Sequence, residues 1–431
     1  MNNWRDLYHN KIVSAAQAVQ HIKSDDRVVI GHACGEPPTL VEALVARASE
    51  LSNVEIVHMV AMGPAKFAQP EMEKSFRHNA LFVGGTTRKA VEEKRADFTP
   101  CFFSEIPRLF KNKILSVDAL LFQVTPPDEQ GFCSYGVSVD YTKTAAECAR
   151  IVIAQMNSCL PHTGGAKIHL NDIHFIVEQD EPIIELKPPQ IGEVEKAIGE
   201  NVAALIPDGA TLQLGIGAIP DAVLLFLTDK KDLGIHSEMF SDGVLVLAEA
   251  GVITNRKKTI NTGKFTATFL MGTKRLYDFV NHNPDVEMQS VDYINDPCII
   301  GQHDNMISIN SALQVNLMGE VNAEMIGTKQ FSAVGGQVDF VRGASRSLNG
   351  KSIIALPSTA AGGKISRITC DLDRGAAVTT SRNDVHYVVT EYGAANLRGK
   401  SLSARAKALI AISHPDFRDR LTAEAKEKGL M

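Results

Sequence analysis

One acidic residue lies in surroundings that favour carboxylate chemistry. Glu238 is placed within Gly234-Ile-His-Ser-Glu-Met-Phe-Ser-Asp-Gly243, among apolar and small residues. A carboxylate in such a setting is partly desolvated, which makes the anion costly and more reactive. Because the chain has 50 acidic residues, an ordinary surface charge is the alternative. His236 could be a base or a satisfied structural histidine. Glu238 is therefore a candidate catalytic residue.

A glycine turn precedes this segment. Gly215-Ile-Gly217-Ala-Ile-Pro220 follows the apolar run Thr211 to Leu214 and precedes the helical pattern of Ala222 to Leu227. Glycines allow close approach of a ligand to the backbone, and amides at a helix start bind phosphate or an oxyanion. A tight turn without a ligand is one alternative. A dinucleotide fingerprint is another, but Pro220 stands where its third glycine is required.

A second glycine-rich segment has the same character. Gly335-Gly-Gln-Val-Asp339-Phe-Val-Arg342 contains two adjacent glycines, a carboxylate and a guanidinium within eight residues. This density favours a loop that approaches a ligand. Asp339 and Arg342 could alternatively pair with each other as loop architecture.

Strands and helices alternate along the chain and must position these residues. β-branched runs such as 54–57, 119–122, 151–153, 173–177, 211–214, 353–356 and 385–389 are separated by stretches of helical period such as 39–51. This rhythm is typical of parallel βαβ units. Prolines at 182, 188 and 189 indicate a connector, so we place a boundary near residue 190, between domains 1–190 and 191–431. The pattern of 402–430 predicts a C-terminal helix that packs on the second domain.

The two halves of the chain share one plan. Residues 25–44 and 208–227 each contain an acidic turn, an apolar run, a glycine-bearing loop, a proline and a helix-like stretch, in register at Pro37 and Pro220. Asp172-Ile-His and Asp384-Val-His repeat later in the same order. The repeat predicts two similar open α/β domains with a small-molecule cleft at their junction.

Composition excludes several classes of protein. The 431 residues carry a formal net charge of −6 without a dense basic block, so we expect no nucleic-acid partner. No apolar run is long enough to span a membrane, and the N-terminus lacks a signal-peptide core; we expect a cytoplasmic protein without a membrane partner. Seven scattered cysteines without a CxxC pair, and histidines without an HExxH spacing, argue against disulfides and a metal site.

Four segments, taken in order, resemble the acetyl-CoA hydrolase/transferase family, and within it the 4-hydroxybutyrate and butyryl-CoA:acetate CoA-transferases. The resemblance spans nearly the whole chain. It is carried by Gly215-Ile-Gly-Ala-Ile-Pro220, Gly234-Ile-His-Ser-Glu238-Met239, Gly335-Gly-Gln-Val-Asp-Phe340 with Arg342-Gly-Ala344, and Glu391-Tyr-Gly393 with Leu397-Arg-Gly-Lys400.

The resemblance implies a fold and a set of roles. The fold would be a tandem pair of CoA-transferase-type (NagB/RpiA/CoA-transferase-like) open α/β domains related by internal duplication. Glu238 would be the catalytic glutamate, and the amides near Gly217 and Ala218 the oxyanion hole. The expected CoA contacts are Gly215, Ile216, Gly217, Ala218, Ile219, Gly335, Gly336, Gln337 and Lys364. In some relatives a lysine precedes a Gly-Gly pair; here Ala361 precedes Gly362-Gly363 and Lys364 follows.

The implied reaction exchanges CoA between two carboxylic acids, with Glu238 carrying CoA as a thioester in ping-pong kinetics. CoA is then a substrate, and no other cofactor or metal is expected. For the acyl group we predict a pocket on the first domain, facing Glu238, formed by Met62, Gly63, Glu105, Pro127 and Gln130. We expect a homodimer. The alternatives are an acyl-CoA hydrolase on the same fold and a non-catalytic ligand sensor.

Overall fold

The computed structural model describes residues 4–431 and divides the chain into two compact units. The first unit comprises the residues up to Leu186 together with Thr266–Ile294. The second comprises Lys187–Phe265 and Asn295–Met431. The change of unit between Leu186 and Lys187 lies close to the expected boundary near residue 190, but 266–294, expected in the second domain, belongs to the first unit. There the Val291 amide donates to the Asp140 carbonyl at 3.3 Å, and the Tyr277 hydroxyl donates to the Ile184 carbonyl at 2.8 Å.

A seven-stranded sheet organises the first unit, and all of its pairings are parallel. Its central strands are buried on both faces, as the near-continuous apolar runs predicted. The strand order is Phe175–Glu178, Ile151–Met156, Ala119–Val124, Arg27–Ile30, Val54–His58, Phe76–Ala80 and Ala96–Phe98.

Helices and short strands complete this unit. The α-helices are Trp4–Leu7, Ala15–Ala18, Pro38–Ala46, Arg88–Glu92, Ile106–Lys111, Thr142–Cys148, Lys274–Val280 and Val291–Ile294. The 3-10 helices are His9–Lys11, Val19–His21, Ala33–Gly35, Ala48–Glu50, Lys66–Ala68, Pro70–Met72, Phe103–Glu105 and Leu170–Asp172. The remaining strands are Phe132–Ser134, Gly164–Gly165, Lys167–His169, Phe269–Leu270 and Val286–Met288, and Phe265–Ala267 lies where the chain passes between the units.

The sheet of the second unit has a parallel centre and antiparallel edges. In order, its strands are Met239–Phe240, Thr211–Leu214, Met306–Ser311, Lys351–Ala355, Tyr387–Thr390 and Gly393–Asn396, and Gly234–Ile235 also pairs with Thr211–Leu214. Smaller strands are Gln314–Asn316, Val321–Asn322, Met325–Ile326, Lys329–Gln330, Thr359–Ala360, Ile365–Ser366 and Ile368–Thr369. The helices are Glu193–Ala203, Ala218–Leu225, Asp242–Glu249, Pro297–Ile300, Gln337–Arg346, Leu402–Ala411 and Pro415–Glu427.

The prediction of one C-terminal helix is wrong, because the tail forms two. The first ends at Ala411 and the second starts at Pro415. Proline is favoured in the first turn of a helix and disfavours the helical conformation of the residue before it. Both helices nevertheless bury apolar side chains in the core of the second unit, where Leu409 and Leu421 belong to the same hydrophobic cluster as Val388.

Four parallel strands follow the same order in both units. In the first unit the sheet runs from Arg27–Ile30 through Ala119–Val124 and Ile151–Met156 to Phe175–Glu178. In the second it runs from Thr211–Leu214 through Met306–Ser311 and Lys351–Ala355 to Tyr387–Thr390. In both units the first of these strands leads through a short turn into a helix. Ligands of open α/β sheets bind beyond the carboxyl ends of the strands, where both turns lie.

Candidate active site

The Glu238 segment is attached to the strand that leads into the glycine turn. Met239 pairs with Leu214, the last residue of that strand. The Ser237 hydroxyl donates to the Leu214 carbonyl at 3.4 Å and accepts from the Leu214 amide at 3.3 Å. Since Gly215 follows Leu214 directly, these contacts place Glu238 beside the start of the glycine turn.

The carboxylate of Glu238 is half-buried and lies against Gly336. The Nδ2 atom of Asn295, a fully buried residue, donates to Glu238 Oε2 at 2.9 Å. A β-carbon on Gly336 would overlap both this oxygen and the Asn295 amide nitrogen. The structure thus brings together Glu238 and the glycine pair Gly335-Gly336, and it adds Asn295, which the sequence analysis missed.

The glycine turn leaves its backbone accessible. Gly217 has φ +124° and directly precedes the helix Ala218–Leu225, and no atom lies within 4 Å of the position that its β-carbon would take. The amides of the first helical turn have no partner within the helix. The neighbouring Ile216 is 49% exposed. The turn can therefore present amides to an oxyanion and an apolar side chain to a ligand.

Two buried side chains fix the strand before Glu238. Asn255 Oδ1 accepts from the Ile235 amide at 2.8 Å, and Lys258 Nζ donates to the Ile235 carbonyl at 2.7 Å. His236 is fully buried, with its ring 4.5 Å from that of His303. Burial lowers the pKa of His303 to about 2. This packing favours the structural interpretation of His236.

The other predicted residues of the second unit have different surroundings. Gln337 opens the helix Gln337–Arg346, but its side chain donates to the Ser311 carbonyl at 2.9 Å and accepts from the Thr380 hydroxyl at 2.9 Å. Lys364 lies at the exposed tip of the hairpin formed by Thr359–Ala360 and Ile365–Ser366. Arg342 contacts the Asp384 carboxylate at 3.5 Å.

The first unit also holds a glutamate carboxylate that is buried and hydrogen-bonded to the main chain. The amides of Met62 and Gly63 donate to Glu36 Oε2 at 3.1 and 3.0 Å, and Glu36 is only 2% exposed. Burial raises the pKa of Glu36, and the two amide bonds partly oppose that shift. Met62, Gly63 and Glu36 line a cavity of about 310 Å³ whose walls include Pro38, Val41, Val45 and Ile184.

The remaining members of the predicted acyl pocket do not line this cavity. Pro127 lines a different cavity of about 690 Å³ in the same unit. Glu105 ends the 3-10 helix Phe103–Glu105 with an exposed side chain, and Gln130 is exposed in the turn after Asp128. Of the five residues, Met62 and Gly63 line the cavity together with the buried carboxylate of Glu36.

Neither a metal cluster nor a membrane span is found in the described part of the chain. Within residues 4–431, no three His, Cys, Asp or Glu side chains are grouped so that they could hold a metal ion. Over the same residues, no helix has the length and apolar character needed to cross a bilayer.

The sequence held a weak signal for one missed residue and none for the other. Glu36 directly precedes Pro37, the residue in register with Pro220 of the glycine turn, so the repeat could have drawn attention to it. Asn295 lies 57 residues from Glu238 and has no motif around it. Only the fold brings its amide to the carboxylate.

The chain matches known proteins over most of its length. Residues 1–188 match the model of the acetyl-CoA hydrolase/transferase N-terminal domain, and residues 272–425 match that of the C-terminal domain. A 4-hydroxybutyrate coenzyme A transferase of Clostridium kluyveri is 62% identical over 426 residues, 99% of each chain.

Two solved structures are similar over the whole chain. The crystal structure of RipA from Yersinia pestis has a TM-score of 0.95 at 38% identity and covers 100% of both chains. A 4-hydroxybutyrate CoA-transferase from Porphyromonas gingivalis has a TM-score of 0.86 at 44% identity and covers 99% of this chain and 100% of its own. The chain therefore belongs to the acetyl-CoA hydrolase/transferase family.

Proposed function

We propose that the protein transfers CoA between an acyl-CoA and a short-chain carboxylate through a glutamyl-CoA thioester on Glu238. The acid pair is 4-hydroxybutyrate or butyrate with acetate or acetyl-CoA. The observation that supports this most directly is the half-buried Glu238 carboxylate, held against Gly336 by Asn295 beside the glycine turn. The enzyme class is established by the 62% identity to a CoA-transferase over the full chain.

The chemistry requires a carrier that keeps the energy of the thioester. Glu238 attacks the acyl carbonyl, the carbon–sulfur bond breaks, and a mixed anhydride and CoA thiolate form. The thiolate then attacks the glutamyl carbonyl, the acid leaves, and CoA remains bound to Glu238 as a thioester. The incoming carboxylate reverses these steps, which gives ping-pong kinetics. No metal or prosthetic group is required, because the covalent carrier conserves the energy.

Each tetrahedral intermediate places negative charge on an oxygen. We assign its stabilisation to the amides near Gly217 and Ala218, where loss of one donor typically costs about 3 kcal/mol of barrier. Gly215 to Ile219 and the start of the helix after Gly335-Gly336 would contact CoA. The side chain of Gln337 is hydrogen-bonded to Ser311 and Thr380, so Gln337 would contact CoA through its backbone. The exposed hairpin tip would bring Lys364 to the CoA nucleotide.

We also propose that the two units arose by internal duplication and that both have the NagB/RpiA/CoA-transferase-like fold. The four parallel strands that follow the same order in both units support this. The aligned strand–turn–helix segments at Arg27–Ala46 and Thr211–Leu225 are the strongest part of that argument. We also propose that the protein is cytoplasmic and that it forms a homodimer.

The test is chemical trapping of the intermediate. The protein is incubated with acetyl-CoA, reduced with borohydride and mapped by peptide mass spectrometry. We expect reduction of a glutamyl thioester to an alcohol at position 238 only. Modification at another residue, or none while transfer continues, would overturn the covalent mechanism.

Acceptor dependence separates the transferase from a hydrolase. With a second acid present, a transferase forms the new acyl-CoA and releases little free thiol. If thiol instead accumulates at the same rate with and without the acceptor, the protein is an acyl-CoA hydrolase.

A further inference from the structure

The cavity beside Met62 and Gly63 has an apolar wall and one buried acidic group. Val41, Val45 and Ile184 supply aliphatic surface, and Glu36 contributes its carboxyl. A pocket of this kind suits a short aliphatic chain whose far end carries one polar group, because the apolar wall buries the methylenes and the polar residue fixes orientation.

The two main-chain donors hold one oxygen of the Glu36 carboxyl. Both amide bonds, from Met62 and Gly63, go to Oε2. Oε1 packs against Gly63, since a β-carbon there would lie 2.5 Å from this atom. The carboxyl is thus fixed by two main-chain donors to Oε2, and Glu36 lines the cavity.

The charges at the cavity select against a second carboxylate. Among the residues described as lining it, the only basic one is Lys66, and its Nζ lies 3.0 Å from Glu42 Oε1. An acid with two carboxylates would therefore place a negative charge near Glu36 without a free cation to balance it. A hydroxyl has no such conflict, because it can donate to an ionised carboxyl or accept from a protonated one.

We propose that Glu36 is the specificity-determining residue that binds the distal hydroxyl of a 4-hydroxy acid and disfavours dicarboxylates. This assignment rests on the proposed transferase function, whose acyl pocket it specifies. The raised pKa of the buried carboxyl agrees with a site in which the proton can be shared with a neutral ligand.

The experiment compares two acids of the same size. With acetyl-CoA as donor, kcat/KM is measured for 4-hydroxybutyrate and for pentanoate, in which a methyl group replaces the hydroxyl. In Glu36→Leu we expect the ratio of the two to fall roughly tenfold to a hundredfold, as for loss of a hydrogen bond to a charged group. Glu71→Leu, the same change on the exposed 3-10 helix Pro70–Met72, should leave the ratio unchanged.

A second variant distinguishes a change in specificity from a folding defect. Glu36→Gln keeps an oxygen for the Met62 and Gly63 amides and gains an NH₂ donor, so it should retain the preference for the hydroxyl and use succinate several-fold better relative to pentanoate. The assignment of Glu36 would be overturned, without affecting the proposed transferase function, by either of two results. One is a 4-hydroxybutyrate-to-pentanoate ratio in Glu36→Leu within about twofold of wild type; the other is unchanged use of succinate by Glu36→Gln. If the wild type transfers CoA to neither 4-hydroxybutyrate nor pentanoate, the proposed function itself fails.

Discussion

Each unit holds a glutamate carboxylate against a glycine, but the two sites differ in what fixes the carboxylate. Glu36 lies beside Gly63, is almost fully buried and accepts from two main-chain amides. Glu238 lies beside Gly336, is half-buried and accepts from the side chain of Asn295. In both cases the missing β-carbon makes room for the carboxylate.

The difference is consistent with the two roles proposed above, recognition by Glu36 and reaction by Glu238. Main-chain amides form a fixed cradle that suits a group which must stay in place and bind. A side-chain donor such as Asn295 suits a carboxylate that is to act as a nucleophile, the role proposed for Glu238. The turns that follow Arg27–Ile30 and Thr211–Leu214 also differ in exposure. Residues 31–37 are buried throughout, whereas Gly215 to Ala218 are partly open and Ile216 is exposed.

The largest expected effect is at the reacting carboxylate. Glu238→Ala removes the carrier, so kcat for CoA transfer should fall by at least about 10⁴-fold, the size typical of losing a covalent nucleophile. The assay is steady-state formation of new acyl-CoA. Glu427→Ala, on the exposed face of the C-terminal helix, is the control. Near wild-type transfer by Glu238→Ala would remove the distinction between the two carboxylates.

The sheets could be predicted from the sequence because their information is local. Strands such as Ala119–Val124 are apolar on both faces, which marks them as central parallel strands. The return of 266–294 to the first unit could not be predicted, because it depends on contacts with distant residues such as Asp140. The break before Pro415 was visible, but helical spacing on both sides of it masked the boundary.

The candidate site was predictable where a motif carried it. Glu238, the glycine turn and the pair Gly335-Gly336 were candidates from their motifs and matched the family resemblance, and the structure places Glu238 against Gly336. Asn295 and the Glu36 cradle were not predictable, since each contact joins residues that are remote in sequence. The grouping of Glu105, Pro127 and Gln130 with Met62 rested on loops at strand ends, and it stays a prediction.

Gly336 offers a direct test of the close approach. In Gly336→Ala the added methyl group would overlap the Glu238 carboxylate and the Asn295 amide. Displacing a reacting group in this way should lower kcat about 10²-fold, with a loss of about 1–3 kcal/mol in the free energy of unfolding. Activity and urea unfolding are measured together.

Gly85→Ala is the matched control, because nothing lies within 4 Å of the position of its added carbon. Unchanged kcat in Gly336→Ala would show that the carboxylate does not need this space.

Asn295 tests whether a side-chain donor is what distinguishes the second site. Removing it in Asn295→Ala takes away the hydrogen bond to Glu238 Oε2, and hydrogen bonds to charged groups contribute about 1.5–3 kcal/mol. We expect kcat to fall roughly tenfold to a hundredfold while KM for acyl-CoA stays within about threefold. A rise in KM with unchanged kcat would instead assign Asn295 to substrate binding.

Ile216 tests whether the open turn contacts CoA. Truncation in Ile216→Ala removes exposed apolar surface. If CoA buries one or two of the three removed carbons at about 0.8 kcal/mol each, KM for acyl-CoA should rise about fourfold to fifteenfold. Stability should change by less than about 0.5 kcal/mol. Leu225 is 55% exposed at the end of the helix that follows this turn, and Leu225→Ala should leave KM unchanged. Equal effects of the two changes would argue against a CoA contact at the turn.

The smallest expected effect is a pH dependence at the buried carboxyl. Because burial raises the pKa of Glu36 above its usual value near 4.5, the native state binds this proton more tightly than the unfolded chain does. Its contribution to stability is therefore present below pH 4.5 and lost as the pH rises through the native pKa. Glu36→Gln cannot ionise, so its free energy of unfolding relative to wild type should increase between pH 4 and pH 8. Urea unfolding at both pH values measures this, with the exposed Glu71→Gln as control. A relative stability that stays constant or decreases with pH would mean that the amides of Met62 and Gly63 outweigh desolvation, and the carboxyl would then be an ordinary anion like those at the surface.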